Sequence, residues 1–370
     1  MCEEPALAGA SAEADAYSVS AMSSRKVLVI GGRGYFGRLL IDDLLRNTNS
    51  ELVVASHRQA FLSNRFETVV ADLWDPNSLE RALADVEIAI CAAGPYQNLP
   101  TTLAELCLNR GIHYIDLADD RAFVQRVRSL AADHENAAGA VCTGWSTVSA
   151  LSGLLAGIAS DGMTAIDSIY IQMAPGNRGA RHTATIASLM NSVGQPFVIC
   201  RDGKSQRVVG WSEPREFAFP SPVGRRQGYL VDVPDHEIFP KLFAARTVEF
   251  RAGSELQILN RCLSLLQRTG RNWVSSSGIL QHAVGLLSWI GHDWGAIGVE
   301  VAGAVGRRAC VVADSCGQRI AVMPASVMAG ALLSGVHQSG LIPYTGWLTE
   351  EQLRRECEKR GLRLVVEGLS

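Results

Sequence analysis

The sequence predicts an α/β protein, a doubly wound parallel sheet followed by a second α+β domain with a mostly antiparallel sheet. Three observations predict it. The chain has 370 residues, more than one ordinary core accommodates and about right for two domains. From Lys26 to Thr143 short apolar runs alternate with amphipathic stretches, the pattern of successive βαβ units. Past Trp145 that texture gives way to short β-like pieces broken by Gly203, Pro214, Pro220, Pro222 and Gly224. With 47% hydrophobic and 19% charged residues the chain has the means to bury a large interior.

Each element has a local reason. Residues 1–24, rich in Ala, Ser and Glu, read as a disordered tail without the basic and apolar regions of a secretory signal. Residues 25–146 form the first domain. Val27–Ile30 is a buried strand, and Phe36, Leu39, Leu40, Leu44 and Leu45 recur at helical spacing after it. Glu51–Ser56 is a second strand and Val69–Ala71 a third; Asp75 and Pro76 then supply an N-cap and a first-turn proline for a helix through Leu83. Glu87–Ala92, His113–Leu117 and Gly139–Thr143 are strands four to six. The helices between them run Pro100–Asn109, closed by Gly111, and Arg121–Asn136. Residues 147–323 form the second domain, with strands at Ser168–Met173, Gln206–Trp211 and Glu216–Phe219 and a paired couple at Gly298–Gly306 and Arg308–Ala313. Residues 324–370 are read as helices, Pro324–Ser334 and then Thr349–Arg360, the latter with a capping box in Thr349 and Gln352.

The loop between the first strand and helix carries the strongest functional signal. Gly32, Gly34 and Gly37 form G-x-G-x-x-G around Arg33, Tyr35 and Phe36. In that pattern the first glycine serves the tight turn, the second lets backbone approach a pyrophosphate, and the third packs helix on strand. The helix start then offers unpaired N–H groups and partial positive charge to phosphates. The pattern reads as a Rossmann dinucleotide site, the alternative being a structural glycine turn with no ligand. An NAD site expects an acid at the end of the second strand, where this chain has Ser56-His57-Arg58. Arg58 either pairs with a 2′-phosphate or is a solvated loop residue, so NADP is preferred and NAD is the less favoured cofactor, with His57 and Arg58 as candidate contacts. Asp72 either accepts from the adenine amine or caps the local turn.

The stretch Ala92-Ala93-Gly94-Pro95-Tyr96-Gln97, followed by Gly111-Ile112-His113-Tyr114-Ile115-Asp116-Leu117, resembles the saccharopine dehydrogenase/reductase-like family. That family's cofactor domain has an A-G-P-Y/F turn after strand four and a G-x-x-Y-x-D strand. The resemblance spans Val27 to about Gly144. It implies a Rossmann domain joined to an α+β domain bearing the substrate site and a dimer surface, hence a homodimer, with the C-terminal helices of residues 324–370 returning to the Rossmann domain. It also implies NADP- or NAD-dependent chemistry on amino-acid-derived imines or secondary amines. The chain departs from the family pattern at Asn98–Thr102, where a glycine is usual, and at Gly144–Ser149, which lacks the usual acid and proline.

Ligands of open α/β sheets sit at the carboxyl ends of the strands, which places Ala93, Gly94 and Pro95 beneath the nicotinamide ribose. Tyr96 either donates a proton or packs. Asp116 is either a catalytic or amine-binding carboxylate or a cap for the next helix. His182 is the third catalytic candidate, since histidine moves a proton near neutral pH. Tyr114, Arg181 and Arg225 are candidate substrate contacts, the arginines as two-point carboxylate clamps. No metal-ligand spacing and no G-x-S-x-G occurs.

The expected function is an NAD(P)-dependent oxidoreductase transferring hydride to an imine or carbonyl of a small amino-acid-derived or carboxylate-bearing metabolite. The alternatives are a catalytically silent NADP-binding sensor or scaffold and a membrane-associated family member. Lys+Arg 34 against Asp+Glu 37 leaves a formal charge of −3, without the basic field of a nucleic-acid binder. Nine scattered cysteines, never C-x-x-C, point to a reducing, cytoplasmic compartment. The apolar region Gly278–Gly306 is interrupted by His282, His292, Asp293 and Glu300. It falls short of the roughly 20 apolar residues a spanning helix needs, and reads as a buried helix or a surface patch.

Overall fold

A computed structural model describes residues 26–57, 63–134, 138–178, 192–269, 290–335 and 339–369. The tail, Arg58, Arg181, His182 and most of the apolar stretch before residue 290 lie outside the described residues. No described helix is long and apolar enough to cross a membrane.

The first sheet is built from β1 (Lys26–Ile30), β2 (Glu51–Ser56), β3 (Glu67–Val70), β4 (Ile88–Cys91), β5 (His113–Asp116), β6 (Ala140–Cys142) and β15 (Gly340–Leu341). Their order is β15-β6-β5-β4-β1-β2-β3, and every neighbouring pair is parallel. The order reverses at β1, the switch point where ligands of such sheets bind. Strand side chains alternate between two apolar faces. Leu28, Ile30, Val53 and Ala89 pack with Leu79 of α2 (Pro76–Ala82), Leu103 and Cys107 of α3 (Thr102–Arg110) and Val124 and Val127 of α4 (Arg121–Asp133). Val27, Val29, Val54, Ile88 and Ile90 pack with Leu40, Ile41 and Leu44 of α1 (Tyr35–Asn47).

The second sheet takes the order β10-β11-β12-β7-β13-β14-β16. It comprises β7 (Ile166–Pro175), β10 (Arg215–Ala218), β11 (Arg225–Leu230), β12 (Thr247–Ala252), β13 (Gly295–Gly303), β14 (Gly306–Ala313) and β16 (Leu362–Gly368). Only the β12–β7 pairing is parallel. A separate hairpin joins β8 (Pro196–Arg201) and β9 (Lys204–Val209). One face of the sheet is covered by α5 (Ala150–Ala159), α6 (Asp235–Leu242) and a C-terminal helix, through Leu151, Leu154, Leu155, Phe239, Leu353 and Cys357. Helix α7 (Gln257–Leu266) lies outside that cluster, burying Leu263 with Trp211 and Tyr229.

The last stretch of chain divides. Helix α8 (Arg319–Leu333) lies against α1 and covers the first sheet with Val322, Ala325, Met328 and Ala329. It begins five residues before the start read at Pro324, which is buried inside it. Helix α9 (Glu350–Lys359) and β16 instead join the second sheet. The capping box of α9 is formed: Thr349 Oγ1 accepts from the Gln352 N–H at 3.2 Å, and Gln352 Oε1 accepts from the Thr349 N–H at 2.8 Å.

Candidate functional site

A cavity of about 700 Å³ opens at the carboxyl ends of β1 to β5, and it reaches β7 and α8. Its first wall is the glycine loop. The tight turn falls on Gly31, with φ +84°, and not on Gly32 as the pattern predicts. A Cβ on Gly31 would sit 2.6 Å from the Ala93 nitrogen, so bare backbone is needed for the first loop to touch the β4 loop. Gly32 and Gly37 are packing glycines: a Cβ on Gly32 would meet Val54 at 2.2 Å, and one on Gly37 the Gly31 carbonyl at 2.2 Å. Gly34 faces the cavity and begins α1 without any side-chain cap. Arg33, Tyr35 and Phe36 line the same wall. The first amides of α1 are therefore presented to whatever occupies the cavity.

The second wall comes from the ends of β2 and β3. Ser56 and His57 line it, with Asp72, Leu73 and Trp74 beyond. Asp72 Oδ1 accepts from the Trp74 N–H at 3.0 Å, so it caps its own turn while lining the cavity. The cap of α2 is Asp75, whose Oδ1 accepts from the Asn77 N–H at 3.0 Å.

The third wall holds Ala92, Ala93, Gly94, Pro95 and Tyr96. Tyr96 packs against Phe123, ring centroids 5.1 Å apart. Its hydroxyl donates to the Cys91 carbonyl at 2.7 Å and accepts from the Leu117 N–H at 3.1 Å. That bond pattern straps β4 to β5 and commits the phenolic proton to backbone; burial also holds its pKa well above the usual tyrosine value.

Tyr114 and Asp116, read as facing the site, are fully buried and lie beneath the cavity rather than in its lining. Asp116 Oδ1 accepts from Gly144 N–H at 2.7 Å and Ala118 N–H at 3.0 Å, and its own carbonyl accepts from the Trp145 N–H at 2.7 Å. Burial pushes its pKa to about 6 against the pull of those hydrogen bonds. Asp116 thus holds the turn that presents Ser146, Thr147 and Val148 to the cavity. The cap of α4 is instead Asp120, which accepts from the Phe123 N–H at 2.8 Å.

Sequence reasoning missed the opposite anchor of that turn. Asp235, fully buried at the start of α6, accepts from Ser149 Oγ at 2.8 Å and Ser152 Oγ at 2.5 Å. Burial raises its pKa to about 6 as well. Only the pairing of two distant segments reveals it; nothing local distinguishes Asp235 from the nearby Asp232.

At the far end the lining continues through Gln97, Leu99, Asp119, Met173, Pro175 and Gln318. Arg225 is not part of it: its exposed guanidinium pairs with Glu216 at 2.6 Å on the surface of the second sheet. Among the described residues no group of three or more His, Cys, Asp or Glu side chains gathers as metal ligands.

Known proteins resemble part or all of this chain. Residues 27–142 match the family described as saccharopine dehydrogenase NADP binding domain. No curated protein matches the chain by sequence. Among solved structures, the apo, histidine-tagged, L-Glu-forming saccharopine dehydrogenase from Saccharomyces cerevisiae superposes with a TM-score of 0.63 at 12% identity, over 93% of this chain and 100% of that one. A scyllo-inositol dehydrogenase from Lactobacillus casei, solved with bound NAD(H) and scyllo-inositol, gives 0.45 at 11% identity, over 92% and 98%. An amine dehydrogenase from Mycobacterium smegmatis gives 0.43 at 10%, over 86% and 94%. The likeness to the yeast enzyme is one of fold. Residues 27–142 thus match a saccharopine dehydrogenase NADP-binding domain, and the whole chain shares its fold with the yeast saccharopine dehydrogenase.

Proposed function

We propose that the chain is an NADP-dependent oxidoreductase acting on the imine or carbonyl of a small amino-acid-derived or carboxylate-bearing metabolite. One observation carries the reading: the bare backbone of Gly31 and Gly34 and the uncapped start of α1 open on a cavity that continues to the second sheet. The donor set fits a nicotinamide dinucleotide, with backbone amides for the diphosphate and an elongated cavity within the usual ligand-site range of roughly 300–1,000 Å³. When bound, that cofactor supplies the hydride.

The chain's own residues bind and orient. Tyr35 and Phe36 offer amides to the diphosphate over the bare Gly34, and Ser56 and His57, with no acid at the end of β2, leave room for a 2′-phosphate. Ala93 to Pro95 floor the nicotinamide end, and Ser146 and Thr147, which line the same cavity, supply hydroxyls for a substrate there. Among the described residues that end has no Arg or Lys, so the carboxylate-bearing form of the reading rests on Arg181.

Calorimetry tests the assignment. The wild type should bind NADPH more tightly than NADH, and Gly34→Asp, which puts a carboxylate against the diphosphate, should abolish both. Unchanged NADPH affinity in Gly34→Asp refutes the cradle. NADPH oxidation with keto acids plus amines should then saturate. A second reading, a nucleotide-binding sensor without turnover, is favoured by the commitment of the Tyr96 hydroxyl to structural bonds and by the burial of Asp116 outside the cavity lining. Tight NADPH binding with no turnover over that panel would select it.

A further inference from the structure

Trp74 is out of place for a tryptophan. It stands on the turn between β3 and α2 with 67% of its surface exposed, whereas Trp145, Trp211 and Trp294 are at most 4% exposed. It also lines the cavity. The exposure does not come from slack chain. The Trp74 N–H is held by Asp72 Oδ1, the Asp75 N–H donates to the Asp72 carbonyl at 3.1 Å, and the Asp72 N–H donates to Ser78 Oγ at 3.2 Å. A fixed backbone therefore holds a flat apolar ring out at the rim of a binding cavity, leaving apolar area in water unless a ligand covers it.

The strand order says which part of a ligand arrives there. From the glycine loop at β1, the sheet runs outward through β2 to β3, away from β4 and β5 and the Ser146–Val148 wall. A dinucleotide whose diphosphate lies on the α1 amides has one arm toward β4 and β5 and the other toward β2 and β3. We propose that Trp74 is a base-binding residue, its indole stacking on the adenine of the bound dinucleotide. The assignment rests on the nucleotide-binding reading above. Stacking suits the site because every purine offers a π face to an aromatic ring, and Asp72 is positioned beside it at the same rim.

Nucleotide titrations followed by calorimetry and tryptophan fluorescence test this, with NADPH and with 2′,5′-ADP, which carries the adenine and 2′-phosphate but no nicotinamide. Trp74→Ala should weaken both ligands by the same factor, about tenfold, the scale of one lost base–aromatic stack. Trp74→Phe should stay within about threefold of wild type, since a smaller π face remains. Wild-type emission should be quenched by 2′,5′-ADP, and most of that quench should disappear in Trp74→Phe. Trp74→Ala should melt with the wild type because the side chain is exposed, so lost affinity is not lost fold. Unchanged affinity for both ligands in Trp74→Ala overturns the proposal while leaving the cofactor assignment standing. A loss for NADPH alone, or a change of oligomeric state in place of a change of affinity, overturns it too. If the wild type binds neither ligand, the cofactor reading fails and the stacking role fails with it.

Discussion

A single glycine decides whether the two loops at the switch point can meet. Gly31 combines a left-handed φ of +84° with a Cβ position only 2.6 Å from the Ala93 nitrogen, so an alanine there is both conformationally strained and sterically blocked. Gly34 has an ordinary φ of −67°, and its Cβ would meet only the Gly31 carbonyl, at 3.1 Å. Gly31→Ala should therefore destabilise the fold by about 2 kcal/mol or more, the range for strain at a special backbone position. Gly34→Ala should cost well under half of that. Chemical denaturation of the two variants reads the difference, and equal losses would refute the assignment of the turn to Gly31. The motif in the sequence pointed to this loop but placed the turn one residue late, because G-x-G-x-x-G spacing records where glycines stand and not which of them bends. Tyr96 and Asp116 were legible as residues of this edge of the sheet; that the Tyr96 hydroxyl and Asp116 Oδ1 are taken up by backbone groups was not, since those partners come from other loops.

Elements of the first domain were readable because each was buried on a schedule the chain displays locally, apolar strand, glycine or capped helix, apolar strand. In the second domain the signal thins. Strands β11 and β16, of sequence RRQGYL and LRLVVEG, carry charges at exposed positions, and β15 is two residues long. Their places depend on partners remote in sequence, as where β14 pairs with β16. The end of α9 shows the same limit. Arg360, buried beside Asp43 of α1, donates to both carboxylate oxygens at 3.0 and 2.9 Å across 317 positions of chain. This pair ties the last helix of the second layer to the helix that carries the glycine cradle. Arg360→Ala leaves a buried carboxylate without its cation and should lower stability by about 3–5 kcal/mol. Arg355→Ala, which breaks an exposed pair with Glu351 on the same helix, should cost less than about 1 kcal/mol. Urea titrations of both variants check the contrast; a small loss for Arg360→Ala would show the pair to be dispensable.

At the scale of the whole molecule, the wall of the cavity is gripped from both domains by fully buried carboxylates, Asp116 from the first and Asp235 from the second, each with a pKa raised to about 6. A free aspartate titrates near 3.9. Between those values the folded chain binds protons that the unfolded chain does not, so these groups add stability as pH falls from 7 toward 4.5 and remove it as pH rises. Relative to Asp235→Asn, the wild type should gain on the order of 2 kcal/mol over that interval. Unfolding curves at several pH values measure this, and a pH-independent difference would exclude Asp235 as the titrating group. The covering of the first sheet by α8 and its completion by β15 carry a last consequence. The recognisable nucleotide-binding stretch ends at residue 142, yet Val27, Val29, Ile88 and Ile90 are shielded by Val322, Ala325, Met328 and Ala329. The second sheet is thus spliced into the first unit rather than strung after it. A ribosome delivers the glycine loop early, but α1 covers only part of that side of its supporting layer and the rest waits for α8, so the cavity beside it is completed only after most strands of the second sheet have been made.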